Sequence, residues 1–268
     1  IVTGLQPEFI DLVKSSPNAG VVTRVSPINE VIILRTDVES PLQDVRVRQA
    51  MNYAIDFDTI ISTLLSGYAH RYATVVHPFV LGFNPDVNPY SYDPEKAKEL
   101  LAEAGYANGF SIDFDITPSV GGTNNIEVAQ AVVAYLGQVG ITVNLRVNEY
   151  GVMRTLVYGE RTAAPMIRWQ WKTWDNDPDG IFYGMFHSKG TGTFNMDPVT
   201  DEMVVAARFN LDQEDRARIY RELQERVKEQ ATHIFMYYTD AIYGIANRVT
   251  WAPRIDERLY FYEASLAD

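Results

Sequence analysis

Residues 112–147 read IDFDITPSVGGTNNIEVAQAVVAYLGQVGITVNLRV. Ile112 to Thr117 alternates apolar and polar residues as a strand does, Asn125 to Val139 repeats its apolar residues at helical spacing, and Ile141 to Val147 alternates again. Gly140 separates the helix from the second strand. A strand, a helix and a strand in this order predict a βαβ unit, hence a sheet with helices packed on its faces and a chain of the α/β class.

The pattern extends in both directions. Downstream, the sequence predicts a short helix at Tyr150 to Tyr158, a strand at Met166 to Trp171, helices at Pro198 to Phe209 and Gln213 to Ala231, and strands at Ile234 to Tyr238, Tyr243 to Ala246 and Leu259 to Tyr262. Upstream, Asp93-Pro94 opens a helix that runs to Ala104 and stops at Gly105, with an acceptor at the N-cap and proline in the first turn. Asp44 and Asp56 precede two further short helices in the same way. Residues 68–92, with Pro78, Gly82, Pro85 and Pro89, predict a long ordered loop holding one short strand near Tyr72 to Val76. Nearer the start, Pro7 to Ser16 predicts a helix. Val21 to Val25 and Val31 to Leu34 predict two strands separated by a turn at Ser26-Pro27-Ile28-Asn29.

At 268 residues and 46% hydrophobic content the chain can bury a full core and is too apolar for disorder. Its 23 Lys and Arg against 35 Asp and Glu leave a formal charge of -12, which excludes a partner held mainly through phosphates, so no nucleic acid is expected. The absence of cysteine excludes thiol chemistry, disulfides and thiolate metal sites. No run approaches the roughly 18–20 apolar residues of a membrane span. The start, Ile1-Val2-Thr3-Gly4-Leu5, has neither an initiator Met nor the regions of a signal peptide, and suggests a piece of a longer protein.

Asp175-Asn176-Asp177-Pro178-Asp179-Gly180 places oxygens at positions one, three and five and Gly at six of a calcium loop, but the twelfth position is Phe186 instead of a bidentate Glu. A tight acidic turn is the better reading. His70, His77, His187 and His233 fit no short metal-binding spacing, so no metal and no cofactor are expected. The serine-hydrolase elbow, the phosphate-binding loop and the dinucleotide fingerprint are all absent. A pair of cleft carboxylates assembled across the fold would leave no such spacing, and a hydrolase of that kind is the alternative function. Trp169, Trp171 and Trp174 are three of the four tryptophans. On a strand Trp169 and Trp171 share one face and Arg168 and Gln170 the other. Such rings suit flat apolar ligand surfaces or a buried core, and Trp174, past the strand beside Asp175, is the more accessible ligand candidate.

Pro41 to Asp56, PLQDVRVRQAMNYAID, resembles the signature of the dipeptide, oligopeptide and nickel solute-binding proteins of bacterial ABC importers, the extracellular solute-binding proteins of family 5. Tyr92 to Tyr106 with Gly109-Phe110, the passage from Tyr135 to Val143, and Trp171 to Ser188 resemble three further blocks of that family in the same order. The resemblance implies the C-terminal half of a two-lobed receptor. Residues 1–36 would end the first lobe and cross the hinge, 37–236 would form the second α/β lobe of periplasmic-binding-protein type, a mixed sheet flanked by helices, and 237–268 would return to the first lobe. Thr36, Tyr237 and Tyr238 would mark the hinge.

The resemblance further implies binding without a chemical step, so not an enzyme, in a protein at the periplasmic or extracellular face of the cytoplasmic membrane, lipid-anchored or secreted, monomeric, and delivering its solute to a membrane permease. Carried over residue by residue, Trp171 matches the family's ligand-facing Trp and Arg168 the Arg three residues before it. Trp174 stands where peptide-binding members hold the ligand ammonium with an Asp, and Asp175 lies one residue on. That exchange of an acid for an indole favours a neutral, stackable solute such as an oligosaccharide, with peptide as the other candidate and nickel disfavoured by the histidine positions.

Overall fold

The computed structural model describes residues 1–119, 124–173 and 176–266. From the N-terminus the chain forms Val2–Thr3 (β1), Ile10–Lys14 (α1), Ala19–Leu34 (β2), Val45–Tyr53 (α2), Phe57–Leu64 (α3), Ala69–His70 (β3), Pro94–Glu103 (α4) and Phe110–Ile116 (β4). It continues through Asn125–Gln138 (α5), Ile141–Val147 (β5), Tyr150–Arg154 (α6), Met166–Lys172 (β6), Asp179–Met185 (α7), Pro198–Phe209 (α8), Gln213–Gln230 (α9), His233–Ala246 (β7), Val249–Thr250 (β8) and Ser265–Leu266 (β9). The aspartates expected at helix starts cap them, Asp44 accepting from Arg46 N, Asp56 from Thr59 N and Asp93 from Lys96 N, and Asp212 caps α9 in the same way by accepting from Glu214 N, each at 2.9 Å.

The main sheet has the order β1-β7-β2-β6-β4-β5, with β3 added on β7. The β4–β5 and β4–β6 pairs are parallel, as the βαβ reading requires, and the pairs of β7 with β1, β2 and β3 and of β2 with β6 are antiparallel. The sheet is therefore mixed, as expected. Gly109 and Gly140 enter β4 and β5 with φ +73° and +91°, and a Cβ on Gly109 would lie 1.9 Å from the Gly140 carbonyl oxygen. Only glycine permits that approach.

Four expectations are corrected. The two strands predicted around Ser26-Pro27-Ile28-Asn29 are one, the 16-residue β2. The turn-prone residues lie where the register against β7 shifts between Val25 and Asn29, so proline's missing N–H falls in a break of the ladder. Tyr238 and Tyr243 likewise belong to one 14-residue strand, β7. Tyr72 to Val76 is no strand: Tyr72, Val75 and Val76 are buried as a packing loop, and the strand in that loop is Ala69–His70. Leu259 to Tyr262 is also outside any strand, its end forming a 3-10 turn at Phe261–Glu263.

Alternation along the central strands builds a core on each face. Ile32, Leu34, Phe114, Met166, Ile234 and Met236 pack with α2–α5, and Val31, Ile33, Ile167, Trp169 and Phe235 pack with residues of α6–α9. Among the described residues no helix is long and apolar enough to cross a membrane.

Candidate functional site

β6 carries Trp169 and Trp171 out of the second core to the wall of a cavity of about 980 Å³, which Gln170, Lys172 and Thr173 also line. The rest of the lining comes from α6 and the residues after it, Tyr150, Arg154, Tyr158 and Arg161, and from the start of α7. A cleft of this size, lined by four aromatic and seven polar or charged residues, is of the scale that takes a small organic ligand.

The aromatic floor is fixed by packing. Trp169 is 4% exposed and its Nε1–H donates to the Tyr158 hydroxyl at 2.8 Å, with the two rings edge to face at 5.4 Å. Trp171 is half-buried and lies against backbone: a Cβ on Gly184 would sit 2.3 Å from its Cη2, and one on Gly192 3.3 Å from its Cζ3. These two glycines give the indole its seat. Trp169 is thus both core and cavity wall, and Trp171 is the half-buried ring on that wall. Trp174 and Asp175 lie outside the described residues.

Arg168 goes to the other face of the sheet, as strand alternation dictates, and does not line the cavity. It is 1% exposed, with Nη2 3.5 Å from Glu30 Oε2 and donating to the Tyr237 hydroxyl at 3.2 Å. Burial pushes the Glu30 carboxyl up to about 7 against the pull of the Arg168 charge. The structure therefore brings Trp169 and Trp171 together at the cavity and places Arg168 in a buried cluster that joins β2, β6 and β7.

Tyr237 is fully buried in that cluster. Tyr238 lies where β7 passes the register shift of β2, stacked on His70 at 5.1 Å, while Thr36 follows the far end of β2 and donates to Asn195 Oδ1 at 2.8 Å. In the acidic turn, Asp177 receives both Arg216 Nη1 and Nη2 at 2.7 Å and also the Asp179 N–H. Burial raises the Asp177 carboxyl, but Arg216 and that N–H together hold it below the usual carboxylate range. This carboxylate is engaged in structure, and among the described residues no group of three or more His, Asp or Glu forms a metal site.

Arg154, Tyr158 and Arg161 were not singled out from the sequence. Their spacing at i, i+4 and i+7 ahead of a predicted strand is the signal that marks them. Glu30 was also missed, because nothing local to Val31–Leu34 indicates a partner 138 residues away.

The chain is similar to known proteins over nearly all its length. It is 30% identical over 253 residues to heme-binding protein A of Haemophilus influenzae, covering 91% of this chain and 46% of that protein. It is 31% identical over 221 residues to the dipeptide-binding protein of Escherichia coli, covering 79% and 40%. The structure of HbpA2 from Haemophilus parasuis superposes with a TM-score of 0.85 at 25% identity, over 97% of this chain and 52% of the other. So does that of the ABC transporter-associated periplasmic binding protein DppA from Helicobacter pylori in complex with the peptide STSA, at 25% identity over 99% and 52%. The chain spans under half the length of these two curated relatives. The two curated relatives and the Helicobacter pylori protein are named for binding. Residues 1–193 match the family described as "Bacterial extracellular solute-binding proteins, family 5 Middle", and the chain belongs to that family.

Proposed function

We propose that the chain is the C-terminal half of the solute-receptor component of an ABC importer, which captures its solute between two lobes, performs no chemistry on it and passes it to a membrane permease. The observation that carries this reading is the cavity beside Trp171 in a chain of this family. In this reading residues 1–36 end the first lobe and cross the hinge, 37–236 form the second lobe, and 237–268 return to the first. Both crossings occur on long continuous strands, and the register shift between Val25 and Asn29, opposite Tyr238, is a suitable point for them to bend. The whole protein would act as a monomer on the outer side of the cytoplasmic membrane, secreted or lipid-anchored.

Peptide is the favoured solute, from the dipeptide- and glutathione-binding relatives. Oligosaccharide is the second reading, favoured by Trp174 standing where the peptide-binding pattern has an acid. Calorimetric titration of the full-length protein with di- and tripeptides and with α- and β-linked oligosaccharides separates the two. Trp174→Ala is expected to weaken binding about tenfold or more, the loss of a stacked indole, and Asp175→Ala much less. The reverse order would restore recognition of a free ammonium group by the acid. No binding in either class would remove the reading. Turnover of any of these compounds would favour the carboxylate hydrolase, which no relative named here supports.

A further inference from the structure

A second cavity lies at the other end of the central strands. β2 and β6 pair with Asn29 opposite Trp171 and Leu34 opposite Met166, so Thr36, just past β2, stands roughly 20 Å along the strands from Trp171. The cavity there has a volume of about 350 Å³, and its lining includes Thr36, Gln43, Arg48, Asn195, Asp197 and Gln230.

Arg48 brings a buried charge to this cavity. It is 4% exposed, and burial lowers its guanidinium to about 10. Among the described residues no carboxylate pairs with it. Asp44, the acid whose charge acts on it, is bonded to Arg46 Nη2 at 2.6 Å. Arg48 instead clamps backbone: Nε donates to the Gln230 carbonyl at 2.9 Å, and Nη1 to those of Leu42 and Gln43 at 2.7 and 3.2 Å. A guanidinium has five N–H groups, and Nη2 makes no hydrogen bond to a described residue.

Asn195 adds a second unspent donor. Its Oδ1 accepts from the Thr36 hydroxyl at 2.8 Å, while Nδ2 is buried with no partner, in a residue 4% exposed. Asp197, the acid of the described lining, is already engaged: it accepts from Arg226 Nε and Nη2 at 2.9 and 2.8 Å and from the Thr200 hydroxyl at 2.6 Å. A buried charge without a counter-charge and a buried donor without an acceptor are both costly, and here they line one cavity.

We infer that this cavity is a second ligand site, which holds a small oxyanion, phosphate or carboxylate, through Arg48 Nη2 and Asn195 Nδ2. The anion supplies the counter-charge that Arg48 lacks and the acceptor that Asn195 lacks. It also ties α2 and the end of α9, which Arg48 already joins, to the segment before α8. The site is separate from the cavity over Trp171 and does not depend on the receptor reading.

The test is calorimetric titration of the full-length protein with sodium phosphate and, separately, with sodium citrate, at ionic strength matched with sodium chloride. Saturable binding of at least one of them is expected, and the one that binds names the class of anion. Asn195→Asp keeps the acceptor for Thr36 and replaces the donor by a carboxylate, and it is expected to weaken that binding at least about tenfold. Gln43→Glu, at an exposed position on the rim, is expected to weaken it in the same direction and tests the site where the first variant does not fold. Undiminished binding in the folded variants places the anion elsewhere and overturns the proposal. So does the absence of saturable binding by both anions.

Discussion

The stability change caused by Glu30→Gln is expected to be about 3 kcal/mol more favourable at pH 8 than at pH 4. The Glu30 carboxyl is 1% exposed, and burial raises it from 4.5 to about 7 although Arg168 Nη2 is 3.5 Å away. Between those values the folded chain keeps a proton that the unfolded chain releases. The stabilisation is therefore complete below about pH 4.5 and is lost as the pH rises through 7. Glutamine reproduces the neutral acid and removes the cost of burying the anion, while Arg168 keeps the Tyr237 hydroxyl as an acceptor. Urea midpoints of the two proteins at pH 4 and pH 8 give the result. A variant less stable than the parent at pH 8 would mean that the ion pair is a net stabilising contact.

The opposite response belongs to His233, on the strand paired with β2. Its ring is fully buried, 4.7 Å from Phe186, with Nδ1 3.0 Å from the Thr232 hydroxyl, and burial lowers it from 6.5 to about 3. The unfolded chain takes up a proton at pH values where the folded ring stays neutral. This group's stabilisation is complete above pH 6.5 and is lost as the pH falls toward 3. His233→Phe keeps a planar ring and removes the titration. Between pH 7 and pH 4 the parent is expected to lose about 3 kcal/mol more than the variant. The check is the difference between the two urea curves at each pH, since carboxylates common to both proteins cancel. An equal loss in both would show that His233 is reached by water in the folded state.

Legibility followed the range of the physical signal. Helix starts were readable because an aspartate cap acts within three residues, as at Asp44, Asp56, Asp93 and Asp212. The βαβ unit from Phe110 to Val147 was readable because periodicity is local. The continuity of β2 across Pro27 was not, since it depends on β7 supplying a ladder with a shifted register more than 200 residues away. The buried loop at Tyr72 to Val76 shows the same limit: its apolar run reads as a strand, and only tertiary packing leaves its backbone without a partner strand.

The site divides in the same manner. Strand alternation correctly put Trp169 with Trp171 and apart from Arg168, but could not say which face met the cavity. The motif correspondence gave Arg168 a ligand-facing role, while the structure gives it Glu30 as its partner. Of the cations that line the cavity, Arg154 ends α6 just before the π turn and Arg161 has a left-handed backbone, two conformations that the local sequence does not announce.

In the proposed function, the cavity over Trp171 is where the full-length protein holds its solute. The most direct measurement is intrinsic tryptophan fluorescence of the full-length protein, titrated with the peptide and oligosaccharide panel, beside a Trp171→Phe variant. A saturable change in the parent that is reduced at least about tenfold in apparent affinity in Trp171→Phe is the predicted result. Saturation with the same affinity in both proteins would contradict it and place the solute elsewhere in the molecule.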